Sequence, residues 1–317
     1  MKAAILGTLG SPPTCGSFRA PELQAGERRV WVTAAALKHL ERAIAAGTHY
    51  ASPDRLPIIP GLDGVGRLDD GSRVYFVVQR RPFGAMAAQA PAAWTVPVPD
   101  ALDDATAAAV VNPALAAWLP LHERARLMPG ETVLVLGASG TAGQMAVTLA
   151  RQLGAGRVVA CGRRIDVLER LAADAIIDLG LPDTQLSRTF AAEARRGLGV
   201  IVDYLWGRPA GLLIGQLAQS DLSPATDARA IRFVCVGAMA GPAVQLASGI
   251  LRGSRLEIMG SGTGNFPDAA GMAAATARVF DLALAGHLPI RVQTAPIEDV
   301  ARVWDRDAAD RRWVLTL

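Results

Sequence analysis

The chain has 317 residues, 51% hydrophobic and 19% charged, a composition that supports a large core and two globular domains. Its net charge of +3 comes from scattered arginines with no basic run or aromatic interleaving, which argues against a nucleic-acid groove. The start, MKAAILGTLGSPP, lacks the apolar core and cleavage site of a secretory signal, and the most apolar stretch, 105–121, is interrupted by Asn112, Pro113 and Pro120, so a cytoplasmic protein without a membrane span is expected.

Short β-rich runs at 2–6, 29–34, 64–68, 73–78 and 95–97, separated by Gly, Pro and Asp, predict a compact antiparallel β unit. One amphipathic helix, about 38–46, interrupts it and stops at Gly47. From Pro113 the pattern changes to alternating strand and helix, with strands at 132–136, 158–160, 175–177, 200–203, 231–236 and 256–259. Parallel strands need helical crossovers, so this alternation predicts a doubly wound parallel sheet. After Asn265 a long helix, a strand near 290–293, a short helix and a strand at 313–317 read as a return to the first unit. Cys15, Cys161 and Cys235 lack metal-ligand spacing and read as free thiols, two of them in apolar strands.

Between the strand at 132–136 and the next helix lie Gly137, Gly140 and Gly143. Glycine permits positive φ and close approach of backbone to a ligand, while the opening helix offers unpaired N–H groups to a pyrophosphate. The turn, with Ser139, Thr141 and Ala142, is therefore a candidate dinucleotide site. At the end of the following strand an Asp or Glu would accept the ribose 2′-hydroxyl of NAD and repel a 2′-phosphate. Here that position is Gly162, followed by Arg163 and Arg164, whose guanidinium groups suit a phosphate. NADPH is the expected cofactor. In the plainer alternative the arginines are solvated residues at a helix start, paired with Asp166, although two cations there oppose the helix dipole.

The segments "VWVTAAALKHLERAIAAGTHY", "LPIIPGLDGVGRL", "GSRVYF", "PDALDDATAAAVVNPALAAWLPL", "RLMPGETVLVLGASGTAGQMAVTLARQLGA" and "FVCVGAMAG" together resemble the medium-chain dehydrogenase/reductase superfamily, in its zinc-independent quinone oxidoreductase branch. The resemblance implies a doubly wound Rossmann NADP(H)-binding domain at 115–264 and a β-rich, GroES-like catalytic domain formed by 1–114 and 265–317. Zinc-dependent relatives carry a cysteine where this chain reads Ala36-Leu37-Lys38, and a histidine where it reads Gly61-Leu62-Asp63; both ligands are missing, as is the four-cysteine lobe, so no metal is expected. The resemblance further implies a homodimer built through the edge strand at 256–259.

Lys38 replaces an asparagine usual in the family, and its ammonium could bond a developing enolate oxygen or the nicotinamide ribose; otherwise it is a lysine that snorkels to solvent. Tyr50 matches a tyrosine of the family's substrate pocket and could donate to a carbonyl, or else pack as a partly buried ring. His39 and His49 are read as structural. Asn112 could orient nicotinamide or substrate, or cap a helix begun by Pro113. Val236, Gly237 and Ala238, with Gly260 and Ser261, match segments whose backbone groups hold the carboxamide. The hairpin between Gly66 and Gly71 is shorter than in relatives, so substrate size cannot be transferred.

Without a Lewis acid, hydride addition to a quinone or an α,β-unsaturated carbonyl is the easier chemistry, because charge passes into a delocalised anion. The expected activity is NADPH-dependent, zinc-independent reduction of such a substrate. The alternative is an NADP(H)-binding protein with little turnover, acting as a sensor or structural partner. A short-chain dehydrogenase would need Tyr with Lys four residues later, which Tyr50, Tyr75 and Tyr204 lack. A methyltransferase would explain neither the β-rich flanks nor the arginine pair.

Overall fold

The computed structural model describes residues 1–218, 229–288, 290–306 and 311–317. The chain divides into two compact units, Met1–Asn112 with Asp268–Leu317, and Pro113–Pro267. In chain order the first unit opens with β1 (Lys2–Ile5), β2 (Thr14–Ser17), β3 (Arg28–Ala36), α1 (His39–Ala45), β4 (Asp63–Leu68), β5 (Arg73–Val77), β6 (Gln89–Ala92) and β7 (Trp94–Pro97). Helix α2 (Asp104–Trp118) contains the boundary between the units.

The second unit holds β8 (Thr132–Leu136), α3 (Thr141–Gln152), β9 (Arg157–Gly162), α4 (Ile165–Leu168), β10 (Ala175–Asp178), α5 (Asp183–Arg196) and β11 (Val200–Asp203). It continues through α6 (Gly207–Ile214), β12 (Ile231–Cys235), α7 (Ser248–Arg252) and β13 (Leu256–Gly260). The chain then returns to the first unit as α8 (Ala269–Leu284), β14 (Val292–Pro296), α9 (Val300–Trp304) and β15 (Arg312–Thr316).

In the first unit the main sheet runs β14-β15-β3-β4-β5-β7, with β6 also on β3, and β1 and β2 form a separate pair. β15 lies antiparallel to β3, so the end of the chain completes a sheet begun near its start. The same core joins Val30, Val74 and Phe76 to Ile297, Val303 and Leu315. Two strands escaped the sequence reading, β2 (TCGS) and β6 (QAPA). Neither has strong β propensity; each is strand because β1 and β3 present ladders to it.

The second unit is a six-stranded parallel sheet, ordered β10-β9-β8-β11-β12-β13. Covered on both faces, its central strands carry continuous apolar runs such as TVLVL and VIVD, which is why they were legible. Its core gathers Leu134, Val159, Ile201 and Phe233 with Leu186, Phe190 and Leu213 from the helices. The fold is the expected one, a doubly wound parallel sheet together with a β-rich unit built from both chain ends. Among the described residues no helix is long and apolar enough to cross a membrane.

Pro113 does not begin a helix and Asn112 does not cap one; both lie within α2. The alanine- and valine-rich run on either side supplies enough buried contact to carry the helix through a residue that donates no N–H.

Candidate dinucleotide site and its surroundings

The glycine turn lies between β8 and α3, and each glycine has a distinct reason to be there. Gly137 has φ +90°, a region that a side chain disfavours. A Cβ on Gly143 would stand 2.2 Å from the Gly137 carbonyl oxygen, so the helix can begin this close only without one. Gly140 is the N-cap, in extended conformation. The turn is fastened to the next strand, because the Gly137 and Ala138 amides both bond the Cys161 carbonyl at 2.9 Å. The first N–H groups of α3, on Thr141, Ala142 and Gly143, precede the first helical bond, from Gln144 to Gly140, and can receive an anion.

Gly162 ends β9 beside this turn. A Cβ there would stand 2.9 Å from Ser139 Oγ, so a side chain at this position would require Ser139 to turn aside. Arg164 reaches back to donate to the Ser139 carbonyl, and Gln144 Nε2 donates to the same oxygen at 3.2 Å. Arg163 is exposed and makes no ion pair with a described residue. Asp166, the partner considered for the arginines, pairs with Arg170 at 3.1 Å. One acid does lie near: Asp178 on β10 is in register with Gly162, its Oδ1 accepting from the Gly180 amide at 2.7 Å. The sequence reading missed it because the partner strand of β9 is a tertiary fact.

A second group of residues braces the turn. Pro120, four residues after Ala116, has no N–H to give the Ala116 carbonyl. That carbonyl instead accepts the Tyr204 hydroxyl at 2.9 Å, and burial pushes the phenol well above its ordinary range. The Tyr204 oxygen is also 3.4 Å from the Ala142 carbonyl in the first turn of α3. Past α2 the chain makes a π-helical turn, Leu119–Arg124, closed by the Ala125 amide on the Pro120 carbonyl at 2.8 Å. Asp203, buried at the end of β11, accepts from the Leu205 and Trp206 amides at 2.8 and 3.0 Å. Burial raises its pKa to about 6, against the pull of those two bonds.

The carboxamide segment has fewer available donors than expected. The Val236 and Gly237 amides are taken by the Asp203 carbonyl at 2.7 and 3.2 Å, and the Ser261 amide by Cys235 at 2.8 Å. The Gly260 carbonyl accepts from Arg124 Nε at 2.9 Å. Ala238, at the exposed end of the segment, keeps an amide outside this network.

In the first unit, Lys38 is not where a substrate-binding ammonium or a snorkelling one would be. It is 2% exposed, paired with Asp63 and, at 2.9 Å, with Glu41. Burial alone would lower its pKa; the two carboxylates overcome this and hold it above the ordinary value. Its charge is therefore answered inside the unit. Tyr50 is 76% exposed, its ring tilted 34° to that of His49 with centroids 4.1 Å apart, which excludes the partly buried ring. Asn112 is half-buried on α2. Cys161 is buried, whereas Cys15 and Cys235 are only partly so. Among the described residues no three His, Cys, Asp or Glu side chains are grouped to hold a metal.

No family model matches the chain. It is 27% identical to a probable NADPH-dependent quinone reductase of Emericella nidulans, with 99% of each chain covered. A mycobacterial quinone oxidoreductase superposes with a TM-score of 0.83 at 20% identity, and the quinone oxidoreductase of Thermus thermophilus, solved also with NADPH, with 0.77 at 24%. Both alignments cover all of each chain, and at these identities they establish the fold. In sequence along its whole length, and in fold, the chain resembles the quinone oxidoreductases of the medium-chain dehydrogenase/reductase superfamily.

Proposed function

We propose that the protein is an NADPH-dependent oxidoreductase that reduces a quinone or an α,β-unsaturated carbonyl without zinc. The observation that carries this reading is the end of β9: Gly162 stands where an acid would meet the ribose of NAD, and Arg163 and Arg164 follow it. The residues present fit the coenzyme. Thr141, Ala142 and Gly143 would hold the pyrophosphate with their amides, and the two arginines the 2′-phosphate. Ala238 and the Val236 carbonyl would orient the carboxamide. When bound, NADPH supplies the hydride. The chain contributes orientation and electrostatics, through a turn locked to β9 and braced by Tyr204.

Tyr50, exposed beside His49, is proposed as a group that can meet a substrate oxygen, and Asn112 as one that can meet nicotinamide or substrate. Lys38 is proposed to act at a distance, by holding Asp63 and the start of α1 in position. Association into a homodimer is proposed through β13, the last strand in the order of the six-stranded sheet.

The test is spectrophotometric. Purified protein should oxidise NADPH in the presence of a naphthoquinone or an enone, and NADH more slowly. Tight NADPH binding with no turnover across such a panel would favour the sensor reading instead.

A further inference from the structure

We propose that the second unit carries a recognition site for a carboxylate, so that the substrate is a conjugated carbonyl compound bearing an acidic group; this rests on the reductase reading for the word substrate, though not for the site. The site is a cavity of about 240 Å³ lined by Leu119, Glu123, Arg124, Ser261, Asn265, Phe266 and Pro267. It lies past the carboxyl end of β13, the edge of a parallel sheet along which α/β proteins bind ligands.

Three of its four polar side chains can donate, and two of these, Arg124 and Asn265, are held from behind. Arg124 is tethered through Nε to the Gly260 carbonyl at 2.9 Å, and its two Nη groups have no partner among the described residues. A guanidinium fixed in this way presents its terminal fork, the geometry that bonds a carboxylate bidentately. Asn265 Oδ1 accepts from the Gly262 amide at 2.8 Å. Because an N–H can be accepted only by the oxygen, the Asn265 amide nitrogen must be the free end. Ser261 adds a hydroxyl on a residue only 7% exposed. The opposing charge, Glu123, is turned to His122, with Oε1 2.9 Å from Nδ1. Leu119, Phe266 and Pro267 complete the wall with apolar surface, so the site suits an acid on an apolar body.

The anion expected here is not the coenzyme's pyrophosphate. That group belongs at the turn after β8, and β13 is three strands away, roughly 14 Å at the usual strand spacing. Arg124 is the last residue of the π-helical turn, a device found often at functional sites.

The test uses the full-length protein and two probes that cannot be reduced at an alkene, 4-oxo-4-phenylbutanoate and its methyl ester. Their dissociation constants are measured by calorimetry with and without NADP⁺. The acid should bind about 10- to 100-fold more tightly than the ester, and Arg124→Gln should remove most of that preference. Glu123→Gln, an exposed position safe for folding, should increase it about two- to fivefold. Equal binding of acid and ester by the unsubstituted protein overturns the proposal, as does a preference that neither substitution changes. If the acid is preferred and Arg124 governs it, while the matching enone acid, 4-oxo-4-phenylbut-2-enoate, never oxidises NADPH, the site stands and the reductase reading falls.

Discussion

Lys38 Nζ lies 2.9 Å from Glu41 Oε1 in a part of the first unit where both residues are 2% exposed, and the same ammonium is paired with Asp63. Arg312 stands close, donating to the Leu37 carbonyl at 3.1 Å, with burial lowering its pKa and Glu41 acting against that. Tyr75, also buried, is raised well above the ordinary phenol value by burial first and Asp63 second. Two acids, two bases and a phenol thus share one interior.

Removing the ammonium strands two carboxylates away from water. Lys38→Met should cost about 3–5 kcal/mol of stability, the usual consequence of breaking a buried pair from one side. Urea unfolding measures it. A loss below about 1 kcal/mol would mean that Arg312 alone satisfies the acids.

The arginines after β9 should govern coenzyme choice. In Arg163→Ala/Arg164→Ala the preference for NADPH over NADH should fall about 10- to 100-fold, as expected for lost charge-assisted bonds. The single changes should differ, because Arg164 also ties down the Ser139 carbonyl whereas Arg163 is exposed. Arg163→Ala should leave thermal stability unchanged and Arg164→Ala should lower it. Titration of both coenzymes against each variant decides; an unaltered ratio in the double variant would refute the phosphate assignment.

Tyr204→Phe should destabilise the second unit by about 1–2 kcal/mol, because the Ala116 carbonyl loses its donor. The penalty should shrink in a Pro120→Ala background, where the new amide at position 120 can reach that carbonyl in helical fashion. A double-mutant cycle by urea unfolding reads the coupling, and strict additivity would count against it.

Asp203 makes stability depend on pH. With its pKa raised from 3.8 to about 6, the folded protein binds more protons than the unfolded chain between those values. Stability attributable to this group is therefore greatest below about pH 4 and declines up to about pH 6, by about 3 kcal/mol at 1.36 kcal/mol per unit. Asp203→Asn keeps an oxygen for the Leu205 and Trp206 amides but cannot ionise. The melting temperature of the variant minus that of the unsubstituted protein should grow as pH rises from 4 to 7. A difference that stays flat over this range is the contrary result.

What the sequence determined by itself follows from local physics. The central strands of the parallel sheet were readable because burial on both faces demands unbroken apolar runs, and the glycine turn because positive φ at Gly137 and the contact at Gly143 tolerate no side chain. The absence of an acid at Gly162 was likewise written in the chain. Tertiary structure decided what depends on partners distant in sequence: β2 and β6 as strands, α2 running through Pro113, and Asp178 beside Gly162. It also decided the fate of Lys38, whose carboxylates lie 3 and 25 residues away, and it brought Arg124 to the Gly260 carbonyl across 136 residues. The cause is the same in each case. Propensity and pattern act over a few residues, whereas burial and pairing depend on which segments the fold brings together.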